Sequence, residues 1–340
     1  MVKKIEEINT LDNNKPKVIS LFSGCGGLDL GFVKAGFEVV WANDFDKEAT
    51  ESYSKNIGNH IVHKSIYDID TSIIPKADIL IGGFPCLGFT VAKGKERKLD
   101  CAQNQLFQEY ARVLNDTNPK YFVVENVTGI KSGKDFNDFF HNTILKTFEK
   151  AGKGYKVKYE TLISSTFGVP QNRKRVIILG TRIDMVEEPS FPSFEIEKKN
   201  TLKDAIFTLP KEYDLTIPNH TGNKHKVKIT GYVGGRQLDW DKPSPTITGR
   251  GSRTGGAVIH PHPDGHRRLS VRECARIQSF PDDFIFSGSN GAAYAQIGNA
   301  VPPIMAFFIA NQFRPLFNKE LLQFDKKKWN LPYVDKISQK

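Results

Sequence analysis

Residues 82–90 read GGFPCLGFT, which puts Cys86 straight after a proline and just past the apolar run Ile79-Leu80-Ile81. A thiolate presented at such a place is a nucleophile able to open a covalent route. Glu125 follows a second apolar run, Phe122-Val123-Val124. A carboxyl partly buried there has a raised pKa and can hold a proton near neutrality. Arg173 and Arg175 stand in QNRKR, just before the run that begins at Val176. Alternate residues of an extended segment share a face, so both guanidinium groups could meet one crevice. Each stretch also has a plainer reading: a small buried hydrophobe in a turn, a solvated acid, a basic loop. The choice depends on whether the rest of the chain brings these residues together.

A fourth stretch offers a ligand site. LFSGCGGLD, residues 21–29, joins an apolar run to a helical pattern, and its glycines let a ligand approach backbone at a helix N-terminus. Gly24 and Gly26 fit a Gly-x-Gly-x-x-Gly fingerprint, but Asp29 stands at the third position. Asp44 lies 20 residues past Gly24, where an acid binds ribose hydroxyls in nucleoside-binding sheets. Together they point to a nucleoside cofactor without saying which. HPHPDGH, residues 260–266, has metal-ligand residue types, but its two prolines break regular geometry and no cysteine is near. It reads as a loop histidine cluster, and no metal is expected. Cys25 and Cys274 read as packing residues, and Cys101 as an exposed one.

The elements that must position these groups alternate. Short apolar runs at 18–22, 39–43, 78–83, 121–126 and 175–181 read as strands. Helical patterns at 28–36, 47–56, 106–115 and 136–152 lie between them. The expected fold is α/β, a doubly wound, mostly parallel sheet covered on both faces. Ligands then bind outside the carboxyl ends of the strands, where Gly24, Asp44, Cys86 and Glu125 would gather. Near Pro189 the texture turns loop-rich, with much Gly, Pro, Thr, Lys and Arg. Helix signals return at 270–280, with Ser270 as cap and Glu273 completing a capping box, and at 304–313.

The chain has 340 residues, 39% hydrophobic and 25% charged, which is ordinary for a globular protein of one large or two smaller domains. Its net charge of +10 favours a polyanion as partner, nucleic acid first. The first sixteen residues carry no secretory pattern, and the apolar stretch 304–310 is too short to span a bilayer. Four cysteines without Cys-x-x-Cys spacing fit a reducing compartment, so a cytoplasmic, nucleoid-associated protein is expected.

The ordered set FSGCGGLDLGF, GGFPCLGF, VVENVTG, QNRKRV, RRLSVRECARIQSFPDDF and IGNAVPP resembles the DNA cytosine-5 methyltransferases of bacterial restriction–modification systems. The resemblance spans residues 18–313 and implies a Rossmann-like methyltransferase fold with S-adenosylmethionine as cofactor. It implies Cys86 as nucleophile on carbon 6 of a flipped-out cytosine, Glu125 as the acid at ring nitrogen 3, and Arg173 and Arg175 as bracing arginines at the base carbonyl. Cofactor contacts carry over to Phe22, Gly24, Gly26, Asp44, Phe45, Ser65, Ile66, Pro85, Leu106 and Asn299. Asp44 would hold the ribose and Phe45 would lie against the adenine. Leu87, Thr90 and Ser65 stand where the family commonly has Gln, Ser and Asp. The implied layout is a large lobe over 1–190, a small target-recognition lobe over 191–287, and a segment over 288–340 returning to the large lobe. DNA contacts are expected at Arg236, Gln237, Arg250, Arg253 and Thr254, since arginine to guanine edges is the commonest specific major-groove contact. The expected partner is duplex DNA, met by a monomer. A cognate endonuclease would cut the same site without stable association. Rival readings are methylation of tRNA, a non-catalytic DNA-binding module with a degenerate cofactor pocket, and, more distantly, a nicotinamide dehydrogenase.

Overall fold

The computed structural model describes residues 15–85, 105–193, 196, 198–222, 227, 229, 235–249 and 259–337. Strands β1 (Lys17–Leu21), β2 (Glu38–Asp44), β3 (Ile61–His63), β4 (Ile79–Gly82), β5 (Tyr121–Val127), β6 (Tyr155–Ile163) and β7 (Lys174–Arg182) form one sheet. Its order is β3-β2-β1-β4-β5-β7-β6. The β1 to β5 neighbours run parallel, whereas β7 pairs antiparallel with both β5 and β6. Strand order reverses between β1 and β4, so a crevice opens at their carboxyl ends. The register is close to level there. Leu21 pairs with both Asn43 and Gly82, and Gly82 pairs with Val124. Phe22, Asp44, Gly83 and Glu125 therefore stand one residue past a common rung.

Alternation along the strands splits the core in two. Val18, Ile79, Ile81, Tyr121, Val123, Ile177 and Leu179 face one side, and Ile19, Leu21, Leu80, Phe122, Val124, Val176 and Ile178 the other. On the first side lie α1 (Gly27–Lys34) and, from the far end of the chain, α7 (Val271–Ile277), α8 (Asn290–Asn299) and α9 (Pro303–Asn311). The two ends meet closely. A Cβ on Gly31 would lie 2.6 Å from the Ala306 carbonyl carbon, so only glycine lets α1 and α9 touch. On the second side lie α3 (Leu106–Thr117) and a helix that runs from α4 (Lys134–Phe139) through a π-turn (Phe140–Leu145) to α5 (Lys146–Glu149). α2 (Lys47–Asn56) is capped by Asp46, which accepts from the Ala49 N–H at 2.9 Å. The expected capping box of α7 is present, Ser270 and Glu273 each bonding the other's backbone.

The expected strands and the long helices form. Four elements were not expected: β3, β6, α6 (Leu202–Ile206) and α8. β3 has three residues, too few for any period. β6 is a sheet edge with Lys156, Lys158 and Glu160 along it, so its polar residues mask the strand. α8 is mildly apolar all round and lies buried, with no amphipathic stripe to read. The stretch Asn290–Asn311 is long and apolar enough to cross a membrane, yet it is mostly buried and interrupted at 300–302. Leu202, Leu238, Ile247, Ile259 and Leu269 belong to the same apolar cluster as Val18 and Ile79.

Candidate active site

The crevice begins with the turn after β1. Phe22 has φ 53°, Gly24 56° and Gly26 91°. A phenylalanine in the left-handed region is uncommon and is held only where its surroundings over-determine it. The clamps are visible. Ser23 N–H donates to the Asn43 carbonyl at 3.0 Å, and Gly24 N–H donates to Asp44 Oδ2 at 2.7 Å. Asp44 Oδ1 accepts from the Asp46 N–H at 2.9 Å. Burial pushes the Asp44 carboxyl up from its ordinary value, against the pull of the Asp46 and Gly24 N–H groups. A carboxylate has about four acceptor sites, so acceptor capacity remains for a ligand. The space above is open, since a Cβ on Gly24 would meet nothing within 4 Å, and Phe45 is 67% exposed. An exposed aromatic face, an acid at the strand end and a glycine turn entering α1 suit a nucleoside with a ribose diol.

Beneath the turn lies a buried polar chain. Tyr53 OH donates to Asp29 Oδ1 at 3.0 Å and meets His60 Nε2 at 2.9 Å. Burial lifts the Asp29 carboxyl to about 6, opposed by hydrogen bonding from Ser20 and Tyr53. Cys25 and Cys274 are buried free thiols, as expected of packing residues. Of the other expected cofactor residues, Ile66 is buried, Ser65, Pro85 and Leu106 are half-buried, and Asn299 is exposed at the end of α8. The Ile66 segment is held by Arg112 of α3, which donates to the carbonyls of Ile66 at 2.9 Å and Ile69 at 3.2 Å.

A second group of side chains stands at the neighbouring strand ends. Glu125, near the end of β5, forms an ion pair with Arg175 Nε at 2.7 Å, both side chains nearly buried. Burial pulls the Arg175 guanidinium down from its usual range, and Glu125 opposes this. A Cβ on Gly83 would lie 3.2 Å from Glu125 Oε2, so the turn just after β4 passes close to the acid. Next to Glu125, Asn126 Nδ2 donates to the Phe84 carbonyl at 3.1 Å, which pins the turn leading to Pro85. Cys86 follows, outside the described residues. Arg173 is placed differently from Arg175. Its guanidinium is fully buried and donates to the carbonyls of Ile247 at 3.1 Å and Gly298 at 2.9 Å. Burial, then Arg175, push its pKa down. Arg175 thus makes the ion pair with the acid, while Arg173 lies behind it, near enough to feel the charges of both Arg175 and Glu125.

Arg236 and Gln237 are exposed, and the Gln237 amide donates to the Pro263 carbonyl. Arg250, Arg253 and Thr254 lie outside the described residues, as does Cys101. In the histidine run, His262 Nδ1 accepts from the Asp264 N–H at 3.2 Å, and Trp240 Nε1 donates to Asp264 Oδ1 at 3.1 Å. The run thereby fastens the segment that carries Arg236. Asn126, Gln171, Gln278 and Gly298 received no role from the sequence. Each lies inside a quoted motif, and that membership was the available signal.

The fold is of the α/β class, with a glycine turn and an acid at a topological switch point that suit a nucleoside cofactor, beside a paired acid and arginine. Residues 16–314 match the family described as C-5 cytosine-specific DNA methylase. The chain is 37% identical to Type II methyltransferase M.NgoFVII of Neisseria gonorrhoeae, over 95% of this chain and 92% of that one. It is 34% identical to Type II methyltransferase M.BsuRI of Bacillus subtilis, over 90% and 81%. Among solved structures, one assigned as a DNA modification methyltransferase of an E. coli prophage superposes with a TM-score of 0.72 at 25% identity, covering 90% of this chain and all of that one. The S. pombe Dnmt2 methyltransferase shares the fold, with a TM-score of 0.63 at 21% identity over 89% and 99%. The chain belongs to the C-5 cytosine-specific DNA methylase family and is a DNA cytosine methyltransferase.

Proposed function

We propose that this protein methylates carbon 5 of a flipped-out cytosine in a specific duplex DNA sequence, as the modification enzyme of a restriction–modification system. The observation that carries the reading is the buried Glu125–Arg175 pair, one rung past the level strand ends and across from Gly83, three residues before Cys86. Carbon 5 of cytosine is a poor nucleophile. Addition of the Cys86 thiolate to carbon 6 moves an electron pair toward carbon 5 and leaves charge at nitrogen 3. Glu125 meets nitrogen 3 and the exocyclic amine there, and Arg175 holds Glu125 and faces the base carbonyl. With S-adenosylmethionine bound, carbon 5 would take its electrophilic methyl group as the sulfur–methyl bond breaks and S-adenosylhomocysteine is left. Loss of the carbon 5 proton to a base and β-elimination would then release the Cys86 thiolate.

The glycine turn fits that cofactor. Gly24 leaves open space, Asp44 keeps acceptor sites for the ribose diol, and Phe45 presents a free face to the adenine. Ser65, Ile66, Leu106, Pro85 and Asn299 would complete the pocket. A base inside a duplex cannot reach this depth, so the cytosine must leave the stack. The net charge of +10 supports a nucleic-acid partner. Residues 191–287 would read the target as a small lobe, with Arg236, Gln237, Arg250, Arg253 and Thr254 toward the DNA. Residues 288–340 would return to the lobe formed by 1–190. We place the working enzyme in the bacterial cytoplasm as a monomer, with any cognate endonuclease acting on the same site independently.

The test is bisulfite sequencing of DNA from cells expressing the protein. Protection confined to one short sequence is expected, and it names the target. Unmethylated DNA, together with methyl transfer to tRNA in a parallel assay, would move the substrate to RNA.

A further inference from the structure

Residues 170–173, 244–249, Gln278 and the end of α8 share a buried polar network. Ser244 N–H donates to the Pro170 carbonyl at 2.9 Å, and Asn172 N–H donates to the Ser244 carbonyl at 2.8 Å. Ile247 N–H donates to Gln171 Oε1 at 2.9 Å. The Gln171 amide donates to Gln278 Oε1, and Gln278 donates to the Ala300 carbonyl at 2.6 Å. Arg173 closes the loop from the other side, joining the Ile247 and Gly298 carbonyls through one nitrogen. Gln171, Arg173, Ser244 and Gln278 are all buried.

Two glycines make the junction tight. A Cβ on Gly298 would meet the Gly249 nitrogen and the Thr248 carbonyl carbon, and one on Gly249 would strike the Asn299 amide. At Gly298 no other residue type fits without moving backbone, and at Gly249 the Asn299 side chain would have to turn away. Gly249 is followed directly by Arg250, an expected DNA contact, and Gly298 by Asn299, an expected cofactor contact. Gly298 also lies in the last turn of α8, whose carbonyls favour a cation.

We propose that Arg173 is a positioning residue that couples the DNA-recognition segment to the cofactor pocket, by clamping Ile247 to the end of α8 rather than by touching the base. This rests on the methyltransferase reading above. Packed interfaces shift between discrete arrangements rather than deforming smoothly, so a displacement at 247–249 passes to 298–299. Coupling is reciprocal: cognate DNA should tighten cofactor binding by the factor with which cofactor tightens DNA.

The probes are S-adenosylhomocysteine and two duplexes, one carrying the site mapped by bisulfite sequencing and one with that site scrambled. Calorimetry gives the affinity for S-adenosylhomocysteine with each duplex. Wild type should bind it roughly tenfold tighter with the cognate duplex, within the usual range of such couplings. Arg173→Lys keeps the charge, but its ammonium ends where the guanidinium carbon lies, one bond short of the nitrogen that meets both carbonyls. It should keep each separate affinity within about threefold while the coupling falls below about twofold, because the clamp, not either site, is lost. Gln278→Leu cuts the parallel path and carries the same expectation should Arg173→Lys not fold. Undiminished coupling in a folded variant, or no coupling in wild type that binds both ligands, would overturn the proposal. Failure of wild type to bind either ligand would instead sink the functional reading beneath it.

Discussion

Replacing Asp44 separates the cofactor pocket from the DNA surface. The carboxylate bonds two backbone N–H groups, Gly24 at 2.7 Å and Asp46 at 2.9 Å, and has acceptor sites left for a ribose diol. Loss of a charge-assisted hydrogen bond to ribose costs about 1.5–3 kcal/mol. At 1.4 kcal/mol per tenfold, Asp44→Ala should weaken binding of S-adenosylhomocysteine by roughly 10–150-fold. Asp44→Asn is gentler but not silent. Its single carbonyl oxygen can serve the Gly24 or the Asp46 N–H while its NH2 faces the other, so the turn loosens even where the ribose bond survives. Calorimetry with S-adenosylhomocysteine measures the loss, and fluorescence anisotropy with a labelled duplex gives the control. Duplex affinity without cofactor should move by less than about threefold, because Asp44 makes no contact with the DNA surface in this scheme. Cofactor affinity unchanged within about twofold in a folded Asp44→Ala protein would put the acid outside the pocket. The assignments of Phe22, Gly24 and Phe45, which share its register, would then fall with it.

Cys86→Ser should abolish methylation with little change in melting temperature, and wild type should form a denaturation-resistant adduct on duplex carrying 5-fluorocytosine at its target; absence of the adduct from an active enzyme would exclude the covalent route. Asn126→Ala removes the bond to the Phe84 carbonyl, so turnover should fall by tenfold or more while cofactor affinity holds; equal loss of both would make Asn126 a general packing residue. Asp29, lifted to about 6 when folded, keeps a proton between about pH 4 and 6 that the unfolded chain has released. That contribution to stability is present at low pH and is lost as pH rises, by up to about 1.4 kcal/mol per unit. The melting temperature of wild type relative to Asp29→Asn should therefore rise from pH 7 to pH 5, and parallel curves would refute the assignment. Arg236→Ala should lower 2-aminopurine fluorescence at the target if the exposed arginine fills the gap left by the flipped base; a uniform loss of affinity with a flatter salt dependence would make it a phosphate contact.

Strand ends were the most legible part of the site. An apolar run that stops at a polar residue is visible in one dimension, and the sheet's level register carries Asp44, Glu125 and the turn before Cys86 to one edge. Arg173 is less legible, because its guanidinium bonds the Ile247 and Gly298 carbonyls, 74 and 125 residues away along the chain. Edge strand β6 is hidden for another reason, since a strand with one wet side and charged residues does not show the apolar run that marks its neighbours. The glycine turn departs from a dinucleotide fingerprint because Asp29 stands at the third glycine position. In the fold Asp29 accepts a hydrogen bond from the Tyr53 hydroxyl beneath the turn.

The residues that aim the reactive groups are harder to read than the groups themselves, and sequence separation explains why. Asn126 bonds a carbonyl 42 residues away, Gln171 a side chain 107 away, and Arg173 a carbonyl 125 away. No local period or spacing encodes such a partner. A nucleophile or an acid can be guessed from its own chemistry, because a thiol or carboxyl at a strand end is already unusual. A buried amide has no chemistry of its own to betray it, and its value lies in the carbonyl or amide it meets across the fold. The divide has a physical basis in how such a site must be built. Transition-state stabilisation needs groups held within a fraction of an ångström, and local backbone alone does not hold a loop that tightly. The long-range bonds that do so are necessarily those that the linear chain conceals. In this chain two of the three start from Gln171 and Arg173, inside one short motif whose other arginine, Arg175, pairs with the acid.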